Sequence, residues 1–120
     1  MEILQKENFK KFKWKNGLGH TDQVFIYPPN SSVDENNFDF RISMAKIDNS
    51  GPFSNFNGYE RLICIIEGEG IKLTLQNQLH HLLPFTIFKF NGEVPCNCQL
   101  TNGPVKDFNF FWNPRKYEVS

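Results

Sequence analysis

The sequence predicts an all-β chain of the sandwich or barrel class, and three observations carry that expectation. Apolar and polar residues alternate over short stretches, turn-forming residues separate those stretches at intervals of roughly 8–12 residues, and no long segment has the 3.6-residue period of a helix. The 13 phenylalanines among 120 residues fit the same picture, because they recur at alternate positions and each fills a large share of a core.

Taken in chain order, the first expected element is a short helix over Lys6–Phe12, with Phe9 and Phe12 as its spaced apolar pair. Lys10–Lys15 (KKFKWK) reads as a locally basic turn with Phe12 and Trp14 packed inward. Gly17-Leu18-Gly19 reads as a tight loop able to hold Asn16 and Thr21 over a cavity mouth. Ser31–Asn37, after Pro28-Pro29, is a polar surface loop. Phe38–Met44 is the clearest strand: Phe38, Phe40, Ile42 and Met44 share one face and Asp39, Arg41 and Ser43 the other, which predicts a half-buried strand with a polar second face.

Tyr59–Ile66 is almost continuously apolar after Arg61 and runs into Gly68-Glu69-Gly70, predicting a central strand closed by a hairpin turn. Strands are expected over Ile71–Leu75, Leu79–Leu83, Phe85–Phe90, Val94–Leu100 and Val105–Trp112. Gln76-Asn77-Gln78, Asn91-Gly92 and Asn102-Gly103-Pro104 supply the turns between them. There is no internal repeat, and the chain reads as one continuous meander.

The length suits one core and hence a single domain over residues 1–120. Thirteen basic and 13 acidic residues give a formal net charge of zero, which argues against a nucleic-acid or membrane-surface partner. No apolar run approaches the ~20 residues that span a bilayer, and the opening residues lack the basic-then-apolar layout of a signal peptide. Cys64, Cys96 and Cys98 make an odd count that fits reduced thiols better than a disulfide framework. A cytoplasmic location is the expectation.

Several constellations could carry chemistry. KKFKWK could grip single-stranded nucleic acid by stacking and charge, but on a neutral chain the basic turn is the simpler reading. Gly17-Leu18-Gly19 lacks the strand–turn–helix context of a phosphate cradle. His80 and His81 are strand neighbours and point to opposite faces, so both cannot enter one barrel interior. Cys96 and Cys98 share a face without a second pair at zinc-type spacing, which reads as a buried thiol pair.

Charge on strands that otherwise look buried is the stronger signal. Arg41 and Ser43 share one face of their strand, Arg61 opens the most apolar strand, and Asp107 and Asn109 share one face of the last. Charges are seldom buried without partners. An Arg–Asp pair linking strands at a barrel rim and an arginine fork offered to a ligand carboxylate both account for the pattern.

Trp14-Lys15-Asn16-Gly17-Leu18-Gly19-His20-Thr21, then Phe40–Ala45, then Gly51-Pro52-Phe53-Ser54-x-Phe56-x-Gly58-x-x-Arg61, and finally Gly103-Pro104-x-x-Asp107-Phe108-Asn109 resemble the HutD/Ves family in order and spacing. The match runs from about Trp14 to Asn109, with Leu18 standing where the family often has glycine or alanine and Gln23 where it often has glutamate. The resemblance implies a cupin-type β-barrel, a double-stranded, jelly-roll-like β-sandwich, corresponding to the first half of a longer two-cupin relative. It implies a small carboxylate ligand and a regulatory role in histidine utilisation or stress growth. Asn16, Thr21, Arg41, Ser43, Arg61, Asp107 and Asn109 carry over as ligand-binding or pocket-supporting positions. Metal-binding cupins place two histidines and a glutamate in the strand pair matching Gly58–Gly70, where this chain has no histidine, so neither a metal nor another cofactor is expected. A lone half would complete its buried surface as a homodimer.

The leading expectation is therefore a binder of a small carboxylate, with Arg61, and after it Arg41, on the carboxylate. The alternatives are a cofactor-free isomerase or hydrolase with Asp107 or His20 as general base, and an interaction domain without a small ligand. In the last case Phe53, Phe56 or Trp112 would fill the barrel mouth.

Overall fold

The computed structural model describes residues 9–117. Its strands are β1 Lys10–Lys13, β2 Gly19–Tyr27, β3 Phe40–Ile47, β4 Gly51–Pro52, β5 Glu60–Glu67, β6 Ile71–Leu75, β7 Gln78–Leu82, β8 Ile87–Asn91, β9 Cys96–Leu100 and β10 Val105–Trp112. They form a six-stranded sheet in the order β1-β2-β3-β10-β5-β8 and a four-stranded sheet in the order β4-β9-β6-β7. All pairings are antiparallel. No helix of the described residues is long and apolar enough to cross a membrane.

This order corrects the meander, because β10 lies between β3 and β5 and β9 between β4 and β6. Gly68-Glu69-Gly70 is likewise not a hairpin turn: it carries the chain from β5 in one sheet to β6 in the other. The crossing runs so close to neighbouring backbone that a Cβ on Gly68 would lie 2.7 Å from the Pro104 carbonyl oxygen, and one on Gly70 2.6 Å from that of Leu82. Both glycines have positive φ, 96° and 107°, which side chains resist. A true two-residue hairpin does join β6 to β7 through Gln76 and Asn77, both at positive φ.

The helix expected over Lys6–Phe12 is not formed where the structure describes it. Lys10–Phe12 belongs to β1, paired with Thr21, Asp22 and Gln23 of β2, Phe9 forms a bend before it, and residues 6–8 lie outside the described residues. The first four residues of KKFKWK, Lys10–Lys13, are therefore a sheet-edge strand, and the turn begins only at Lys15.

The interior is layered across three neighbouring strands, and their register sets its chemistry. Ile47 of β3 faces Val105 of β10; next come Ala45, Asp107 and Ile65; then Ser43, Asn109 and Ile63; and last Arg41, Phe111 and Arg61. At the apolar end, Ile47, Ile63, Ile65 and Val105 pack against Ile71, Leu73, Leu75 and Leu82 of the opposite sheet. At the other end Phe38, Tyr59 and Phe111 form a second cluster, closed by a hydrogen bond from the Tyr59 hydroxyl to the Phe38 carbonyl at 2.7 Å.

The face of β3 that enters this interior is the polar one. Arg41, Ser43 and Ala45 are buried, while Phe40, Ile42 and Met44 remain partly exposed on the outside. The outward aromatics shield one another: Phe40 stacks on Phe25 at 5.8 Å and on Tyr27 at 5.3 Å.

Candidate functional site

Between the apolar end and the second cluster lies a cavity of about 620 Å³, within the usual range for a small-molecule site. Strand β2 reaches it by way of a bulge between Gln23 and Phe25. Thr21 and Gln23 line the cavity, while Ile26, shifted one position by the extra residue, packs against the second cluster. Strand β1 adds Lys10 and Phe12 to the wall, opposite Gln23 and Thr21 respectively. Trp14 closes the corner by donating its indole N–H to Thr21 Oγ1 at 2.8 Å.

Arg61 enters from β5 and is 5% exposed. Its guanidinium carbon lies 4.7 Å from the ring centre of Phe111, 4.9 Å from Phe90, 5.5 Å from Phe53 and 5.6 Å from Phe56. Four rings at such distances supply cation–π attraction but no negative charge. Nη2 donates to Asn109 Oδ1 at 2.8 Å, and Nε is buried without a hydrogen-bond partner.

Arg41, also 5% exposed, donates from Nε to Gln23 Oε1 at 2.9 Å. Its guanidinium shares the Phe111 ring with Arg61, at 5.7 Å, and the Phe12 ring at 5.8 Å. Burial, and then the like charge of Arg61, bring its pKa down to about 10; burial lowers that of Arg61 as well. Among the described residues no carboxylate stands within ion-pairing distance of either arginine.

Asp107 is 2% exposed and meets Arg61 only through an amide. Its Oδ1 accepts the Ala45 backbone N–H at 3.2 Å and Asn109 Nδ2 at 2.6 Å, while the oxygen of that same amide holds Arg61. Burial pushes Asp107 up to about 7, against the opposing influence of Arg61, Asn109 and the Ala45 N–H. The rim pair envisaged from the sequence is thus a buried Arg61–Asn109–Asp107 relay.

The seven positions singled out from the sequence, Asn16, Thr21, Arg41, Ser43, Arg61, Asp107 and Asn109, all line this one cavity. Asn16 has its Oδ1 engaged by the Leu18 N–H at 3.0 Å. His20 is a correction: it is exposed and does not line the cavity, since it points away from Thr21 across the strand, so it cannot serve as a base there. Phe53 and Phe56 stand in the wall without filling the space, and Trp112 lies on the outward-facing side of β10, against Phe110 and Lys89. Sequence reasoning missed Lys10, Phe111, Ser31 and Val33 as lining residues. Among the described residues no three imidazole, thiol or carboxylate groups converge as metal ligands would.

Comparison with known proteins agrees with this architecture. A cupin domain of an XRE-family transcriptional regulator from Enterobacter cloacae superposes with a TM-score of 0.62 at 13% identity, over 85% of this chain and 99% of that one; the fold is that of a cupin. HutD from Pseudomonas fluorescens superposes with a TM-score of 0.84 at 34% identity, over 94% of this chain and 60% of that one. An uncharacterized 21.2 kDa protein in the hutC 3′ region of Pseudomonas putida is 36% identical over 120 residues, 99% of this chain and 62% of that protein. Protein Ves of Escherichia fergusonii is 35% identical over 98 residues, 80% and 49% of the respective lengths. The chain thus spans between about half and two thirds of the relatives it matches. A family model described as HutD matches residues 6–120, and the chain belongs to the HutD family.

Proposed function

We propose that the protein binds a small carboxylate in this cavity and acts as a regulator connected with histidine utilisation or stress growth rather than as a catalyst. Arg61 takes the carboxylate, Arg41 is the second cation, and the Asn16 amide and the Thr21 and Ser43 hydroxyls donate hydrogen bonds. The observation that carries this reading is the pair of buried guanidinium groups that have no ion pair among the described residues, one with an orphaned Nε–H there. A buried donor left unsatisfied costs about 1–3 kcal/mol, more when charged, and a carboxylate matches a guanidinium fork in both charge and shape. The HutD structure from P. fluorescens is that of a formate condition, and formate is the simplest carboxylate. The regulatory part of the reading comes from the resemblance to the HutD/Ves family.

Ligand-induced melting shifts across a panel of small carboxylates test the reading. Wild type gains stability as the logarithm of one plus the ratio of free ligand to Kd, about 2.7 kcal/mol at a hundred times Kd, and Arg61→Ala, shown to be folded by circular dichroism, gains none. Equal shifts in the two proteins would remove Arg61 from the site.

One observation favours a second reading, in which Asp107 is the general base of a cofactor-free enzyme: burial brings it up to about 7, where a base can exchange protons at neutral pH. Turnover of histidine-pathway intermediates without added metal, lost in Asp107→Asn, supports this second reading; binding without turnover supports the first.

A further inference from the structure

We propose that the cavity takes up its anion together with a proton, and that Asp107 is the group that receives it. This rests on the carboxylate-binding reading and adds regulation by pH to the same site.

The geometry makes Asp107 an incomplete counterion. It is buried one layer below Asn109 and two below Arg61, and reaches the guanidinium only through the Asn109 amide. Both of its hydrogen bonds arrive at Oδ1, so Oδ2 is the oxygen left to carry a proton. An anion seated on Arg61 becomes the nearer countercharge and adds a second negative group to one low-dielectric space. Two such groups cannot both stay ionised cheaply, and the weaker acid takes the proton. Formic acid is far stronger than a carboxyl held near neutrality, so the anion stays charged and water supplies a proton to Asp107.

From the neighbouring strands Asp107 faces two arginines and two thiols. From β3 comes Arg41, brought down only to about 10; from β5 comes Arg61. From β9 come Cys96, raised by burial, and Cys98, raised by burial and by Asp107 to about 12, so both remain thiols. Its own strand presents Asn109 and Phe111, and the mouth carries Lys10, Lys15 and Asp34. No histidine is among the described residues that line the cavity.

The sign follows from linkage. Asp107 sits at about 7 in the free protein and higher with an anion present. Affinity is therefore full below about pH 7 and weakens above it, by up to tenfold per pH unit, until the complex itself releases the proton.

Formate is the probe, because it remains ionised across the whole range. Its Kd, taken from melting shifts between about pH 5.5 and 8.5, rises above neutrality in wild type. In Asp107→Asn, where the side chain is neutral throughout, it stays flat. A pH-stat titration of unbuffered protein at pH 7 reads the proton itself, up to about half a proton taken up per anion bound. A flat wild-type Kd, an unchanged slope in Asp107→Asn, or binding without proton uptake each overturn the coupling while leaving carboxylate binding intact. Absence of formate binding at every pH overturns both.

Discussion

Gln23 decides how much of the Arg41 charge the cavity keeps. Its neutral oxygen satisfies Nε at 2.9 Å without cancelling the cation, so Arg41 still repels Arg61 and keeps its charge for the proposed anion. A carboxylate at this position would make a charge-assisted pair and neutralise the wall. Gln23→Glu is therefore expected to weaken formate binding by about tenfold, equivalent to ~1.4 kcal/mol, with no loss of thermal stability. Kd values from melting shifts of the two proteins at pH 6 check this, and an unchanged or tighter Kd would mean that Arg41 plays no electrostatic part.

At the scale of the element, β9 turns Cys96 and Cys98 inward and Asn97 and Gln99 outward. Burial raises both thiols, Cys98 to about 12, and a thiol held from ionising is a poor nucleophile. Iodoacetamide at pH 8 should modify the native protein at Cys64 at most, which is partly exposed, and reach the other two only in denaturant. Intact mass before and after unfolding counts the adducts; two or three on the native fold would mean that β9 opens readily. Strands β3 and β5 to β10 were legible because alternation and turn residues mark them. Strand β2 was not, because the cavity it lines calls for Thr21 and Gln23 where a packed core would call for apolar residues. Lys10–Lys13 presents mostly lysine, and β4 is only two residues long. The same cavity explains the inverted faces of β3 and β10, where Phe40 and Phe110 bury each other's edges outside while Arg41, Asp107 and Asn109 go in. The charged site positions could be read from the sequence because charges on apolar strands stand out. The rings around Arg61 could not, since Phe90 and Phe111 flank it only through the non-sequential pairing of β8 and β10 with β5, and Phe53 comes from just beyond β4 of the other sheet.

At the scale of the whole molecule, the two ends of the interior do different jobs. The Ile47, Ile63, Ile65, Ile71, Leu73 and Val105 cluster is almost wholly buried and supplies the burial that holds the sheets together. Beside it lie two guanidinium groups that have no ion pair among the described residues and a carboxyl forced toward neutrality, an arrangement that lowers stability wherever it has no guest. Removing the buried charges should then strengthen the fold while destroying the site. Arg61→Met keeps a long side chain among the four rings, and Asp107→Asn keeps the amide-side hydrogen bonds without the charge. The double variant is expected to gain about 1–4 kcal/mol in urea unfolding at pH 7 and to show no formate-induced melting shift. A loss of more than ~1 kcal/mol, the worth of the one hydrogen bond given up at Asn109, would instead make the relay an interstrand strut, and the cavity a by-product of it rather than the reason for it.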